Sequence, residues 1–97
     1  MPLHLVTPQE LRRRFNDGNY LERAISGEFT CCLRNESTAN SPDEPLGTRS
    51  LTVGYLDREG RRTFLVHLYL RPSGEIGGRG RMDPKWLIED GAIYYVP

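Results

Sequence analysis

The sequence predicts an α+β domain, helical at its N-terminal end and antiparallel β from there onward, and three observations carry that prediction. Thr7-Pro8-Gln9-Glu10 combines a cap threonine, a proline at the first helical position and a glutamate three residues after the cap. That arrangement satisfies N–H groups which a helix start otherwise leaves unpaired. Two apolar runs of period two flank Asp57-Arg58-Glu59-Gly60, which reads as a β-hairpin, and a second hairpin is signalled by Asp90-Gly91 between apolar runs. Asp-Gly marks such a turn because both central residues of a type I′ turn need positive φ.

The first helix is expected over about 8–17. Val6 and Leu11 are placed to form a hydrophobic staple across the cap, and Asn16-Asp17-Gly18 stops the helix. Its apolar stripe is thin, Leu11 and Phe15, so it should lie on the domain surface with Arg12, Arg13 and Arg14 facing outward. Asn19 is placed to cap a second short helix over about 20–26, where Tyr20, Leu21, Ala24 and Ile25 recur at helical spacing before Gly27.

The remaining segments predict an antiparallel sheet of about four to five strands, over about 28–34, 49–56, 62–71, 86–89 and 92–96. A symmetric central hairpin sets Val53 opposite Phe64 and Leu51 opposite Val66. Period two then collects Leu51, Val53, Tyr55, Phe64, Val66, Leu68 and Leu70 on one core face. The other face receives Thr52, Gly54, Leu56, Thr63, Leu65, His67 and Tyr69, too apolar to be simply wet and too polar for a second core. Asp83-Pro84 is expected to open a single helical or 3₁₀ turn containing Lys85 and Trp86. Residues 35–47 hold two prolines and no periodicity and read as a long polar loop, either a mobile connection or a partner-contacting one.

Length and charge bound the function. Ninety-seven residues make one domain, 1–97, with one modest core. Thirteen cations against 13 acids leave no net charge, so any attraction to nucleic acid must come from a local patch. Twelve of those cations are Arg, a residue suited to bidentate contacts with carboxylate or phosphate, although a GC-rich coding bias yields the same excess. No apolar run approaches the roughly 18 residues of a membrane span and residues 1–10 lack a secretory layout, so the expected location is cytoplasmic. Cys31 and Cys32 are adjacent and read as reduced thiols on opposite strand faces. Two His and this Cys pair give no zinc-type spacing, and neither a metal nor a cofactor is expected.

The candidate binding residues are Arg71, Arg79, Arg81, Lys85, Trp86 and Tyr94: cations around the glycine-rich run 74–80, with aromatic surfaces that follow it. Glycine-freed amides there either cradle an anion or only turn the chain, and no nucleotide-binding fingerprint fits. Arg79 and Arg81 would supply a weak nucleic-acid contact. His67 is the candidate general base, set against the alternative of a packed neutral strand histidine.

Arg71-Pro72-x-Gly74, the glycine-rich run, Asp83-Pro84-Lys85 and the Asp90-Gly91 hairpin together resemble a group of small uncharacterised bacterial and prophage-associated proteins, over roughly the last quarter of the chain. The resemblance implies a bacterial or phage accessory protein and transfers no functional residue. The leading expectation is a non-enzymatic binding module, an inhibitor of phage or mobile-element type that docks on a larger bacterial protein or nucleoprotein complex. The alternative is a small ribonuclease-type toxin using His67 and arginines. Self-association through a sheet edge is a third reading.

Overall fold

Thr7 starts helix α1 (Pro8–Asp17) with the threonine half of the capping box: it is extended, and its Oγ1 accepts a hydrogen bond from the Glu10 N–H at 3.1 Å, while the Glu10 carboxylate turns to Arg13 and Arg14. Leu11 and Phe15, one turn apart, are fully buried. The computed structural model describes residues 1–78 and 80–97. Helix α2 (Tyr20–Ile25) follows after a single left-handed residue, Asn19, at φ 55. Asn19 makes no side-chain cap there; its expected role gives way to the backbone turn that brings Tyr20 under α1.

Among the described residues six strands, one more than the upper expectation, form a single sheet: β1 (Leu3–Leu5), β2 (Thr30–Thr38), β3 (Arg49–Leu56), β4 (Arg62–Leu70), β5 (Asp83–Glu89) and β6 (Ala92–Tyr95). The order is β1-β6-β5-β4-β3-β2, antiparallel throughout except for the parallel pair β1·β6. The additional strand is β1, three exposed residues held by the register Leu3↔Ile93 to Leu5↔Tyr95. Its apolar alternation is too short to distinguish it from coil.

The central hairpin pairs Val53 with Val66, Leu51 with Leu68 and Tyr55 with Phe64, two residues away from the symmetric register. Asp57 explains the offset. Its Oδ1 accepts from the N–H groups of Glu59 and Arg61, its own N–H bonds to the Arg61 carbonyl, and a bulge follows between Tyr55 and Leu56, making a wider loop than a four-residue turn. A slip of two keeps every side chain on its expected face. The second hairpin is as expected: Asp90 and Gly91 have φ 52 and 75, the signs a type I′ turn needs.

Two boundaries differ. β2 runs on to Thr38, so the polar connection spans 39–48, with the Ala39 N–H bonded to the Thr48 carbonyl at 3.0 Å. Residues 83–85 belong to β5 and not to a helical turn: Asp83 and Pro84 pair with His67 and Val66 across a bulge. Proline fits because the register shift there already interrupts the ladder.

Both helices cover the same face. Phe64, fully buried, stands at the centre of an aromatic cluster, with ring centroids of Phe15, Tyr20, Phe29 and Tyr55 at 5.3, 5.5, 5.2 and 4.7 Å. Val53, Val66, Leu68, Met82 and Leu87 extend this core. Arg14 turns back onto the sheet instead of outward, its guanidinium 3.9 Å above the Tyr94 ring and 3.5 Å from Glu89. Glu89 also accepts from the Tyr20 hydroxyl at 2.8 Å; burial first, then this bond, pushes the Tyr20 pKa up to about 12. Among the described residues no helix is long and apolar enough to cross a membrane.

Candidate functional site

Among the described residues no helix lies on the second sheet face. Alternation places Leu3 and Leu5 of β1, Ile93 and Tyr95 of β6, Trp86 and Ile88 of β5, and Leu65 of β4 side by side there. Leu3 and Leu5 are 65 and 62 % exposed, and the others are partly exposed, shielded only by one another. Toward β2 the face turns polar, through Thr52, Ser50 and Cys32. Arg34, the bulged residue of β2, reaches across Gly54: its Nε lies 3.2 Å, and Leu65 Cδ1 3.7 Å, from where a Gly54 Cβ would stand. Gly54 thus gives the guanidinium room to lie flat on the sheet beside the apolar patch.

Arg34 and Arg81 form no ion pair among the described residues. The strand carboxylates lie elsewhere: Glu36 turns to Arg49 and Glu89 to Arg14 on the helix-covered side, and Asp83, at the margin, is held by Lys85 at 3.1 Å. The uncovered face therefore offers an aromatic and aliphatic surface with the unpaired Arg34 guanidinium beside it, a composition typical of interface anchors.

The six expected binding residues do not converge. Trp86 is on the uncovered face, Tyr94 on the opposite one beneath Arg14, stacked on His4 at 5.1 Å. Lys85 is tied to Asp83. Arg79 lies outside the described residues. Arg81 lines a cleft between α1 and the chain following Gly77. Arg71 is occupied: its Nε and Nη2 donate to the two carboxylate oxygens of Glu44 at 3.1 and 3.0 Å.

This last contact clarifies the glycine-rich run. The Gly78 N–H also points at the Glu44 carboxylate, 3.3 Å from each oxygen, and a Cβ on Gly77 would overlap Glu44 Oε1. The anion the run accommodates is the protein's own. The Arg71 fork chiefly, with the Gly78 N–H, holds the Glu44 carboxyl below its usual pKa, and its side chain is only 4 % exposed. Gly74, at φ 90, makes the sharp turn that returns Ile76 to pair with Leu70.

His67 is partly buried on the uncovered side, its Nε2 2.7 Å from Ser50 Oγ and its ring edge-on to Tyr69. Burial first, then the Lys85 charge, lowers its pKa, so the imidazole is neutral at pH 7 and can accept the Ser50 proton in the hydrogen bond. The sign of the pH dependence follows. The unfolded chain binds this proton more tightly, so the stability His67 contributes is present above about pH 6.5 and is lost as pH falls through its depressed folded pKa. Chemical denaturation between pH 7.5 and about 5 should show stability falling on acidification, and His67→Gln should flatten that slope; an unchanged slope in the variant would assign it to other groups.

Among the described residues, neither Ser50 nor His67 has a side-chain hydrogen bond beyond the one they share. Asp83, the nearest carboxylate in register, is engaged by Lys85 and lies 3.9 Å from Arg12. Cys31 and Cys32 are free thiols on opposite faces of β2, opposite Tyr55 and Gly54. No cluster of three His, Cys, Asp or Glu side chains suited to a metal occurs among the described residues.

Trp86 is legible in the sequence as part of this surface, whereas Leu3, Leu5, Ile88, Ile93 and Arg34 are not. The signal was present for β5 and β6, whose alternation across Asp90-Gly91 sets Trp86 and Tyr95 on one side. Compared with known proteins, the chain matches no family model, no curated protein and no solved structure.

Proposed function

We propose that this protein is a non-enzymatic docking module that binds a larger protein through its uncovered sheet face. The observation that carries the reading is the continuous surface of Trp86, Tyr95, Leu65, Ile88, Ile93, Leu3 and Leu5 on a sheet whose helices all lie on the other side. Contiguous exposed apolar area of this kind marks interaction sites. The partner surface is apolar with a carboxylate placed to meet Arg34. A second copy of this chain does not fit that requirement: laid face to face it supplies no strand carboxylate except Asp83, which Lys85 already holds.

A bacterial or prophage setting, in which such modules act as inhibitors of larger machines, is supported by the resemblance of residues 70–94 and directs the choice of lysate. The ribonuclease reading is less well supported. Cleavage by general acid–base chemistry calls for a second proton-transferring group poised near His67: Asp83, its partner in register, is held by Lys85, and His4 sits on the other face against Tyr94.

The test is affinity capture from a bacterial lysate with the wild-type chain, a Trp86→Ser/Tyr95→Ser variant, Arg34→Glu, and the exposed helix variant Arg13→Ala, each shown folded by circular dichroism. A partner captured by the wild type and Arg13→Ala should be lost with the double variant. Retested as a purified pair, Arg34→Glu should weaken it at least tenfold, roughly 1.4 kcal/mol. Retention by the double variant, or a concentration-dependent mass of the chain alone in light scattering, would contradict the assignment.

A further inference from the structure

The cleft beside α1 is built independently of the docking face, and we infer that it binds a small organic phosphate of about nucleotide size. It measures about 990 Å³. Its floor is the end of β4 with Leu68 and Met82, both nearly buried; one wall is α1 and the other is formed by Gly77, Gly78, Arg81 and Asp83. Gln9, Arg12, Arg13 and Asn16, spaced three or four residues apart on α1, line the first wall, and Arg81 lines the second.

Charge decides the ligand class. Three guanidinium groups and two carboxylates, Asp17 and Asp83, line the cleft. Asp17 is matched by Arg13 at 3.4 Å, and Asp83 by Lys85 at 3.1 Å, a cation outside the lining. Asp83 is thus shared between Lys85 and Arg12, whose guanidinium lies 3.9 Å from it, and Arg81 forms no ion pair among the described residues, so cations outnumber acids around the cleft. An unpaired guanidinium facing one that only shares its acid suits an anion, and phosphate matches their planar geometry. The volume is far larger than one phosphate and lies at the upper end for small-molecule sites. The amide side chains of Gln9 and Asn16, with the apolar floor, supply contacts for an organic body attached to the phosphate.

The second wall is held before any ligand arrives. Gly78 donates to Glu44, which Arg71 fixes, and the Gly77 N–H donates to the Tyr69 carbonyl at 2.8 Å. A preformed wall loses little freedom on binding.

The test is a titration of the full chain with inorganic phosphate and, separately, adenosine monophosphate, read by amide NMR shifts at Asn16, Gly77, Gly78 and Asp83. The expected result is saturable shifts at these positions, with Kd below about 1 mM for the nucleotide and weaker for phosphate. Arg12→Ala/Arg81→Ala, both exposed positions, should weaken the nucleotide at least tenfold with the rest of the spectrum preserved, and Trp86→Ser should leave the affinity unchanged. Absence of saturable shifts with both ligands, or the same affinity in the double arginine variant, would overturn the proposal.

Discussion

Phe64→Ala is expected to remove about 3–5 kcal/mol of folding free energy, against a total of about 5–15 kcal/mol for a domain of this size. Phe64 is at 0 % exposure and touches four aromatic rings drawn from α1, α2, the α2–β2 connection and β3. Deleting its ring forfeits the transfer free energy of a buried aromatic and leaves a cavity among neighbours that are themselves pinned. Tyr20 is anchored by its bond to Glu89, and Phe15 by the turn of α1, so collapse is limited. Edge-to-face pairs add roughly 0.5–1.5 kcal/mol each beyond area burial. Urea denaturation followed by far-ultraviolet dichroism measures the loss, with Phe64→Leu as a milder comparison. A loss under about 1 kcal/mol would mean that the helices do not depend on this cluster to hold the sheet.

Gly77→Ala is expected to cost about 2–3 kcal/mol, although Gly77 lies outside the named strands and helices; it is buried there. Gly77 is not in the left-handed region, so the requirement for glycine is one of space and not of backbone angle. A methyl there would overlap the Glu44 carboxylate and lie 3.0 Å from Tyr69 Cβ, which belongs to a strand and cannot move freely. Glu44 must leave. Arg71 then loses both bonds of its fork, the Gly78 N–H loses its acceptor, and the connection 39–48 is untied from the wall of the cleft. Glu44→Ala alone should destabilise in the same direction, most clearly at neutral pH, because the depressed carboxyl pKa contributes stability that is present above about pH 4.5 and lost as pH falls through the folded value. The double change Glu44→Ala/Gly77→Ala should cost less than the sum of the two single ones, since both break the same contact. Strict additivity would show that the two residues act separately.

The elements most clearly legible in the sequence are those whose signals are local. The Thr7 cap of α1, the period-two faces of β3 and β4, and the Asp90-Gly91 turn each depend on residues within a few positions of one another, and each is realised in the fold. What was not legible depends on distant partners. β1 has three residues and exists only because β6 offers an edge to pair with. The strand character of 35–38 comes from the register with Arg49–Thr52, not from its own polar composition. Glu44 and Arg71 are 27 residues apart, and nothing in the loop's sequence marks Glu44 as the anion the glycine-rich run accommodates.

The same holds for the site. Arginines and aromatics between 71 and 94 suggested one surface, but alternation in β5 and β6 sends Trp86 and Tyr94 to opposite faces. The bulge at Arg34 and the missing side chain of Gly54, which together lay a cation on the uncovered face, become visible only when β2 and β3 are paired.

The docking face is tested most directly at Trp86, the single tryptophan of the chain, which therefore gives one fluorine NMR resonance when fluorotryptophan is incorporated. In the free protein that resonance should be accessible to a soluble paramagnetic quencher, as an indole on an uncovered sheet face must be. On addition of the captured and purified partner it should shift and become protected, with the core aromatic signals unchanged. A resonance already protected in the free chain, or one that neither shifts nor loses its accessibility when the partner is bound, would contradict the account.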